Sequence, residues 1–409
     1  MIGTGLSFCG TINYMTKLRV AMIAPPWLRV PPEGYGGIES MLATLIQGLQ
    51  ELDVAVELFA VGGSEPGCPV HACYDGEQYK FMHQAFRNSS PVATGQMSFA
   101  LNEIVQDGHY DIIHDHSTFV GLLALRWATE YPAMPPALHT AHGAFFTTPD
   151  TVAKDLPDYT PAWQAFAQAS KVFVVGISQF QMSQGPKALL SRTLPVVYNG
   201  VDPAEFTFQP AKQDYFLTLA RMMPFKGIHI AAKLCGDMGY PLKIAGPVAE
   251  MADPRLVIKE VNAASSPYEA TASFKYFKNS IWPLVKEHRE IEYLGSISGE
   301  LKKQTLANAK ALLFPLTWDE PFGLVVIEAL ASGTPVVAMR RGAMAELVQH
   351  GKTGFLADTE TEFRAFMKRV DEIDPAACRQ SVQERFSNRS MAAAYVARYQ
   401  EVIRRSKKS

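Results

Sequence analysis

The chain has 409 residues, of which 47% are hydrophobic and 19% charged, and its formal net charge is −2. A chain of this length is expected to form two domains, and this composition is typical of a soluble globular protein. The near-neutral charge argues against nucleic acid as a partner, and the apolar runs are too short to predict a transmembrane segment.

The beginning of the chain carries no recognisable targeting signal. Residues 1–16 lack the basic start and the long apolar core of a signal peptide, so we expect a disordered extension, with a misplaced start of the sequence as the alternative. Five cysteines are scattered along the chain, and their odd number favours a reducing, cytoplasmic location.

Residues 17–207 are predicted to form a first domain around a parallel sheet. An apolar strand at 19–24 is followed by a glycine-rich loop, a helix at 38–52 and a second strand at 54–59. This order is that of a βαβ unit, in which a helix joins two parallel strands. Further short strands are predicted at 111–114, 137–140, 171–175 and 196–198.

Residues 208–387 are predicted to form a second domain, because the alternation of strands and helices starts again there. An aromatic and charged stretch at 276–283 is predicted to be helical. A last helix is predicted over about 388–409, where apolar residues recur at helical spacing. The predicted strands of the second domain lie at 215–220, 241–245, 292–294, 311–314 and 336–339.

Two carboxylates, Glu320 and Glu328, lie eight positions apart in the second domain. Pro321 suits the first position of a helix, because its missing N–H group would have no partner there. A glycine and a proline at 333–335 end the apolar run that follows. Glu320 is therefore expected at the mouth of a helix, and Glu328 roughly two turns inside it. The first-turn amides, which would bind phosphate readily, are predicted to be those of Phe322, Gly323 and Leu324.

The segment from Glu320 to Glu328 resembles the E-x7-E motif of glycosyltransferase family 4, whose members are retaining enzymes of GT-B architecture. Four further segments resemble motifs of the same family in the same order. The resemblance covers nearly the whole chain from about residue 17. It implies an α/β fold with two doubly wound, Rossmann-like domains facing each other across a cleft, and a last helix that crosses back onto the first domain. The four further segments are 34–39, 140–143, 198–202 and the pair Arg221 and Lys226.

The resemblance implies that the second domain binds the donor, a nucleoside-diphosphate sugar. Glu320 would hold hydroxyls of the sugar, Glu328 would hold the ribose, and His142 would contact the sugar from the first domain. Arg221 and Lys226 would stabilise the diphosphate, because the leaving group gains negative charge and cations bind its oxygens. The candidate catalytic residues are therefore His142, Arg221, Lys226 and Glu320. The donor site would be completed by Gly37, Gly246, Ile297, Phe322, Gly323 and Leu324.

Each of these residues also has a purely structural interpretation. Arg221 and Lys226 could be solvated surface cations, but their place after a strand and before a helix favours phosphate binding. Gly36 and Gly37 could serve only close packing, and a lone histidine such as His142 is most often a packing residue. The resemblance favours the functional interpretation for all of them.

The acceptor side is predicted in the first domain, at Tyr35, Gly36 and, more weakly, Asp115. His114 and His116 flank Asp115 and would suit a metal, but no D-x-D motif accompanies them. We therefore assign both histidines to a packed or hydrogen-bonded loop. No bound metal and no other cofactor is expected.

Together these patterns predict a retaining, metal-independent hexosyltransferase. The donor would be a nucleoside-diphosphate sugar, with a UDP-sugar favoured over a GDP-sugar, and the acceptor an unidentified hydroxyl of a small molecule, a glycan or a lipid. Two alternatives remain, a nucleotide-sugar epimerase of the same architecture and a non-catalytic nucleotide-binding module. The basic residues at 404–408 are expected to end a solvated helix, with a weak contact to an anionic membrane surface as the alternative.

Overall fold

The computed structural model describes residues 17–82, 86–117, 119–143, 145 and 160–407. The extension predicted at residues 1–16 lies outside them. The described residues form two halves, each built around an all-parallel six-stranded sheet with helices packed on it. This confirms the predicted α/β fold of two doubly wound, Rossmann-like domains.

The first half has the strand order β3-β2-β1-β4-β5-β6. Its strands are β1 Arg19–Ile23, β2 Ala55–Ala60, β3 Val70–Ala72, β4 Ile112–Asp115, β5 Ala137–Ala141 and β6 Val172–Gly176. Its helices are α1 Gly37–Glu51, α2 Tyr79–Met82, α3 Phe86–Asp107, α4 Phe119–Ala128, α5 Thr160–Phe166 and α6 Gln179–Ser183. Two 3-10 helices follow, Lys187–Arg192 and Pro203–Glu205.

The second half has the strand order β12-β11-β10-β7-β8-β9. Its strands are β7 Phe216–Leu219, β8 Leu242–Ala245, β9 Ile291–Gly295, β10 Ala311–Phe314, β11 Val336–Met339 and β12 Gly354–Ala357. Its helices are α7 Ile228–Met238, α8 Pro254–Asn262, α9 Ala272–Tyr276, α10 Trp282–Glu287, α11 Gly299–Asn308, α12 Leu324–Ala331, α13 Met344–Leu347, α14 Glu360–Met367, α15 Pro375–Arg385 and α16 Asn388–Ser406. The 3-10 helices Pro224–Lys226 and Val370–Glu372 and the π-helix Phe277–Ile281 complete it.

The strands are continuous apolar segments because other parts of the chain cover both faces of each sheet. In β1, Val20 and Met22 belong to one hydrophobic cluster, whereas Ala21 and Ile23 belong to the cluster on the opposite face. Successive side chains of a strand point to opposite faces, so a sheet that is buried on both sides needs apolar residues at every position.

The prediction of a strand at 196–198 is wrong, whereas the other predicted strands are present, with ends shifted by at most one residue. The amide of Val197 does bond to the carbonyl of Gly176, but the segment forms no strand. The sequence also did not predict β3 or β12, which have three and four residues. The stretch at 276–283 is helical, as expected.

The last helix, α16, packs on the first half of the chain. A Cβ atom added to Gly48 of α1 would lie 2.6 Å from the carbonyl oxygen of Asn388, so only glycine allows this approach. Met391, Tyr395 and Tyr399 of α16 are buried in the hydrophobic cluster that covers one face of the first sheet. Among the described helices, none has both the length and the hydrophobicity needed to cross a bilayer.

Candidate active site

Lys226 and Glu320 form an ion pair at the carboxyl edge of the second sheet. The Lys226 ammonium lies 2.5 Å from Oε2 of Glu320, and both side chains are largely buried, with exposed fractions of 11% and 13%. The indole N–H of Trp318 donates to the same carboxylate oxygen at 3.0 Å. Burial lowers the pKa of Lys226, although the charge of Glu320 opposes this effect. Two of the four candidate catalytic residues are thus in direct contact.

The helix that carries Glu328 begins later than the sequence predicted. α12 starts at Leu324 rather than at Pro321, because Gly323 adopts a left-handed conformation with φ of 99° and ends the preceding loop. The amide of Val326 bonds back to the carbonyl of Gly323. The first-turn amides therefore start with Leu324. Phe322 lies outside the helix with its side chain buried.

Glu328 lies inside α12 and is nearly buried. Its carboxylate accepts a hydrogen bond at 2.7 Å from Lys302 of α11, a partner that the sequence analysis did not identify. The carbonyl oxygen of Glu328 accepts from the backbone and side chain of Ser332. The carboxylate is therefore held in a fixed position by the neighbouring helix.

Arg221 and Tyr35 meet across the two halves. The guanidinium carbon of Arg221 lies 5.8 Å from the centre of the Tyr35 ring, within cation–π range. Nε of Arg221 is buried and has no hydrogen-bond partner among the residues that the structure describes. The sequence placed Tyr35 on the acceptor side and Arg221 on the donor side, and the structure shows these two predicted surfaces in contact.

The glycine-rich loop of the first half faces the start of α12. A Cβ atom added to Gly37 would lie 3.6 Å from Cδ1 of Leu324. Gly36 has an extended conformation that any residue adopts. A Cβ atom there would lie only 2.8 Å from Cβ of Pro32, so the glycine is required by space rather than by backbone angle.

Gly246 and Ile297 lie at the same edge of the second sheet, after β8 and β9. Gly246 has φ of 147°, and a Cβ atom there would lie 1.9 Å from the carbonyl oxygen of Ala220. Its amide bonds to the carbonyl of Gly295, and its carbonyl accepts from the Tyr293 hydroxyl. Ile297 is buried. This edge therefore presents a tightly packed backbone beside Arg221.

His142 follows β5 and is held near the Glu320 loop by the short helix α6. The side-chain amide of Gln181 donates to the carbonyl oxygens of the residues before and after His142, both at 2.7 Å. On the same helix, the N-cap hydroxyl of Ser178 donates to the carbonyl of Pro321 at 2.6 Å. One element thus fixes the turn at His142 and contacts the residue next to Glu320.

Asp115, the weaker acceptor-side candidate, lies in the interior of the first half. It ends β4 and is fully buried, with Oδ2 2.6 Å from Nδ1 of His139 and Oδ1 accepting from the amide of Ser117. Both carboxylate oxygens are therefore occupied within the first half. In the described part of the chain, no three His, Cys, Asp or Glu side chains are grouped as metal ligands.

Glu346 joins the two halves, which the sequence did not reveal. Its carboxylate accepts from the amides of Gln179 and Phe180, both at 2.8 Å, and from the Tyr198 hydroxyl at 2.9 Å. These amides belong to the first turn of α6, so a side chain of the second half caps a helix of the first. Only the tertiary structure brings the capping residue to a helix about 170 residues earlier in the chain.

Two family models match the chain, one on each half. The model described as Glycosyltransferase Family 4 matches residues 35–205. The model described as Glycosyl transferases group 1 matches residues 204–376. The two matches meet where the two sheets are joined.

Two similar proteins are named as glycosyltransferases or mannosyltransferases. The D-inositol 3-phosphate glycosyltransferase of Nocardioides sp. is 25% identical over 400 residues, covering 87% of this chain and 82% of the relative. The O-antigen chain mannosyltransferase of Salmonella typhimurium is 24% identical over 222 residues, covering 51% of this chain and 50% of the relative.

Solved structures share the fold over both halves. Sucrose-phosphate synthase from Thermosynechococcus elongatus has a TM-score of 0.71 at 17% identity, covering 94% of this chain and 99% of that one. An Anabaena protein in complex with UDP-glucose has a TM-score of 0.64 at 19% identity, covering 94% and 100%.

Proposed function

The chain is a glycosyltransferase with the GT-B fold, and from this premise we propose that it transfers a hexosyl group from a nucleoside-diphosphate sugar to a hydroxyl acceptor, with retention of anomeric configuration. The observation that carries the proposal is the contact of Lys226 with Glu320, beside Arg221 and opposite the glycine-rich loop of the first half.

The charges of this site suit a leaving diphosphate. When the bond between the anomeric carbon and the phosphate oxygen breaks, negative charge accumulates on the diphosphate. Arg221 and Lys226 supply two fixed cations, and the guanidinium of Arg221 has an unpaired buried N–H group for a phosphate oxygen. With these charges in place, the proposed reaction needs no metal.

Glu320 would bind hydroxyls of the donor sugar, and Glu328 the ribose of the nucleotide. Lys226 and Trp318 hold the Glu320 carboxylate from one side, so its remaining lone pairs are available to sugar hydroxyls. In the transfer step, a bond forms between the anomeric carbon and the acceptor oxygen. The proton of the acceptor hydroxyl passes to the leaving phosphate oxygen.

The structural neighbour from Anabaena binds UDP-glucose, which supports a UDP-sugar as the first donor to test and a GDP-sugar as the second. The named relatives act on different acceptors. The acceptor is therefore proposed only as a hydroxyl-bearing molecule.

The test begins with thermal unfolding in the presence of UDP, GDP, ADP, TDP and CDP and their common sugar conjugates. A ligand at about 100 times its dissociation constant adds roughly 2.7 kcal/mol to stability, which shifts the melting temperature by several degrees. The shift should persist in Glu320→Gln and in the surface control Glu372→Gln, and should shrink in Glu328→Gln.

The donor identified in this way is then incubated with and without hydroxyl acceptors, and the products are separated. Acceptor-dependent transfer that Glu320→Gln abolishes is the expected result, with the product anomer established by NMR. An isomerised nucleotide sugar formed without acceptor would instead identify an epimerase. Binding without any turnover would identify a non-catalytic module, and inverted product would refute the proposed stereochemistry.

A further inference from the structure

Lys302 of α11 is the hydrogen-bond donor that holds the carboxylate of Glu328. Nζ of Lys302 lies 2.7 Å from Oε1 of Glu328, and the exposed fractions of the two side chains are 30% and 11%. Among the residues that the structure describes, no other side chain donates to this carboxylate. An ionised carboxyl group offers about four lone pairs. Glu328 therefore has one fixed contact and acceptor capacity left for a ligand.

The backbone that leads to Lys302 is held in place by the rest of the second half. The amide of Ser296 bonds to the carbonyl oxygen of Ala252 at 2.8 Å. Gly295 has φ of 76°, and a Cβ atom there would lie 2.4 Å from the same carbonyl oxygen. Lys302 follows in the first turn of α11. Its ammonium group therefore reaches Glu328 from a firmly placed helix.

Lys302 lies between two predicted parts of the donor site. Ile297 precedes the first residue of α11 by two positions, and Glu328 belongs to α12, which packs beside α11. The sequence placed both of these residues in the donor site, but it gave no signal for Lys302. In the proposed arrangement Glu328 binds the ribose and Glu320 the transferred sugar. Lys302 therefore acts on the nucleoside part of the donor.

The charge of Lys302 balances the donor site. Arg221 and Lys226 carry two positive charges, whereas Glu320 and Glu328 carry two negative ones, so these four residues are together neutral. A diphosphate is repelled by an uncompensated carboxylate nearby, most strongly where water is excluded. Lys302 neutralises Glu328 at a distance of 2.7 Å, so the carboxylate can contact the ribose without a net repulsion of the phosphates.

We propose that Lys302 is a positioning residue that holds Oε1 of Glu328 so that Oε2 accepts a hydrogen bond from the ribose, and that this pair makes the enzyme select ribonucleotide over deoxyribonucleotide donors. The inference rests on the proposed use of a nucleoside-diphosphate sugar. A carboxylate fixed in one orientation is left unpaired when the ribose lacks the hydroxyl, whereas a mobile one turns to water. The donor is therefore a sugar of UDP, GDP, ADP or CDP rather than of TDP.

Titration calorimetry with UDP, 2′-deoxy-UDP and 3′-deoxy-UDP measures this selection, and the same three forms of GDP, ADP and CDP complete the series. In the wild type, loss of the hydroxyl that Glu328 binds should weaken affinity about tenfold or more. In Lys302→Met, the same loss should weaken affinity about threefold or less, because the carboxylate is no longer held. The ratio is decisive, since loss of a positive charge alone weakens the binding of all three forms equally.

Lys303→Met is the matched control. It removes the same charge from the next residue of α11, whose ammonium lies 3.7 Å from the carboxylate of Glu205 instead. This variant should keep the wild-type ratio of affinities. An equal fall of the ratio in Lys302→Met and Lys303→Met, or an unchanged ratio in Lys302→Met, overturns the inference and leaves the proposed function standing.

The wild type alone can also refute the inference. Equal affinity for the ribose and deoxyribose forms, or a preference for TDP, overturns it whatever the variants do. A wild type that binds none of these nucleotides refutes the proposed function together with this inference. The two failures are therefore distinguishable.

Thermal unfolding without any nucleotide tests the pair itself. Lys302→Met leaves the largely buried carboxylate of Glu328 without its cation and should lower the melting temperature. Adding Glu328→Gln removes the uncompensated charge and should restore at least half of this loss. A double variant that melts as low as Lys302→Met overturns the pairing, and this result stays valid if the proposed function fails.

Discussion

Glu39 allows a prediction whose size follows from the structure. This carboxyl group lies in the first turn of α1 with 5% of the residue exposed. Burial raises its pKa from 4.5 to about 7, its own amide opposes the shift, and the charge of Glu77 adds to it. The unfolded chain therefore loses this proton at lower pH than the folded protein does, and stability falls as the pH rises through this interval.

The substitution Glu39→Gln removes the titrating group and retains its size. The rise of this pKa from 4.5 to about 7 corresponds to roughly 3 kcal/mol of destabilisation, which is present above pH 7 and absent below pH 4.5. The free energy of unfolding of Glu39→Gln, relative to that of the wild type, should therefore be about 2.5 kcal/mol higher at about pH 8 than at about pH 5. Urea unfolding followed by circular dichroism at both pH values measures this difference.

Glu57 of the same half provides a control of opposite sign. Burial would raise the pKa of Glu57, but hydrogen bonds from Arg19, His71 and Tyr110 outweigh it and lower the pKa to about 2. Its stabilising effect is present above pH 4.5 and is lost only as the pH falls towards 2, so Glu57→Gln should destabilise the protein at both about pH 5 and about pH 8. A pH-independent effect of Glu39→Gln, or a loss of stability at about pH 8, would refute the reasoning.

Three further predictions concern the site and its supports. Lys226→Met leaves the buried Glu320 carboxylate without its cation, and the free energy of unfolding measured in urea should fall by about 3–5 kcal/mol. Adding Glu320→Gln should restore most of this loss. A Lys226→Met variant as stable as the wild type would contradict a buried ion pair. Gly246→Ala places Cβ 1.9 Å from the Ala220 carbonyl oxygen, so this turn must shift. Calorimetry should then show weaker nucleotide binding, while the first half unfolds as before. An unchanged affinity would show that this turn does not shape the donor site. Glu346→Ala removes the cap of α6, so hydrogen exchange should become faster at the first-turn amides of that helix. Exchange rates equal to those of the wild type would mean that the contact between the two halves at Glu346 does not stabilise α6.

The sequence predicted the elements that carry most of the site, because strong local signals specified them. Apolar runs marked the strands, and the sheet edge that they define brings Arg221, Lys226 and Glu320 together. The start of α12 was misplaced because Pro321 is an ordinary first residue of a helix. The left-handed conformation of Gly323, which ends the loop, depends on packing that the sequence does not display.

Contacts between distant segments were not predictable from local patterns. Lys302 reaches Glu328, and Glu346 caps a helix of the other half, but neither pairing has a signal in the spacing of the residues. Asp115 was only a weak candidate for the acceptor side. In the structure, His139 of the adjacent strand occupies its carboxylate instead. A prediction of contacts between strands would have been needed to find this pair.

The packing of α16 also determines when the first half can finish folding during synthesis. Tyr399 contacts His114 across 285 positions of sequence, and Tyr395, Met391 and Val402 complete the same hydrophobic cluster as β1 and α1. A ribosome that has made the whole first sheet has therefore not yet made the residues that close its core. The nascent first half must wait, with part of its apolar surface uncovered, until α16 has emerged from the ribosome. At about 5–20 residues per second, the roughly 200 intervening residues take on the order of 10–40 s.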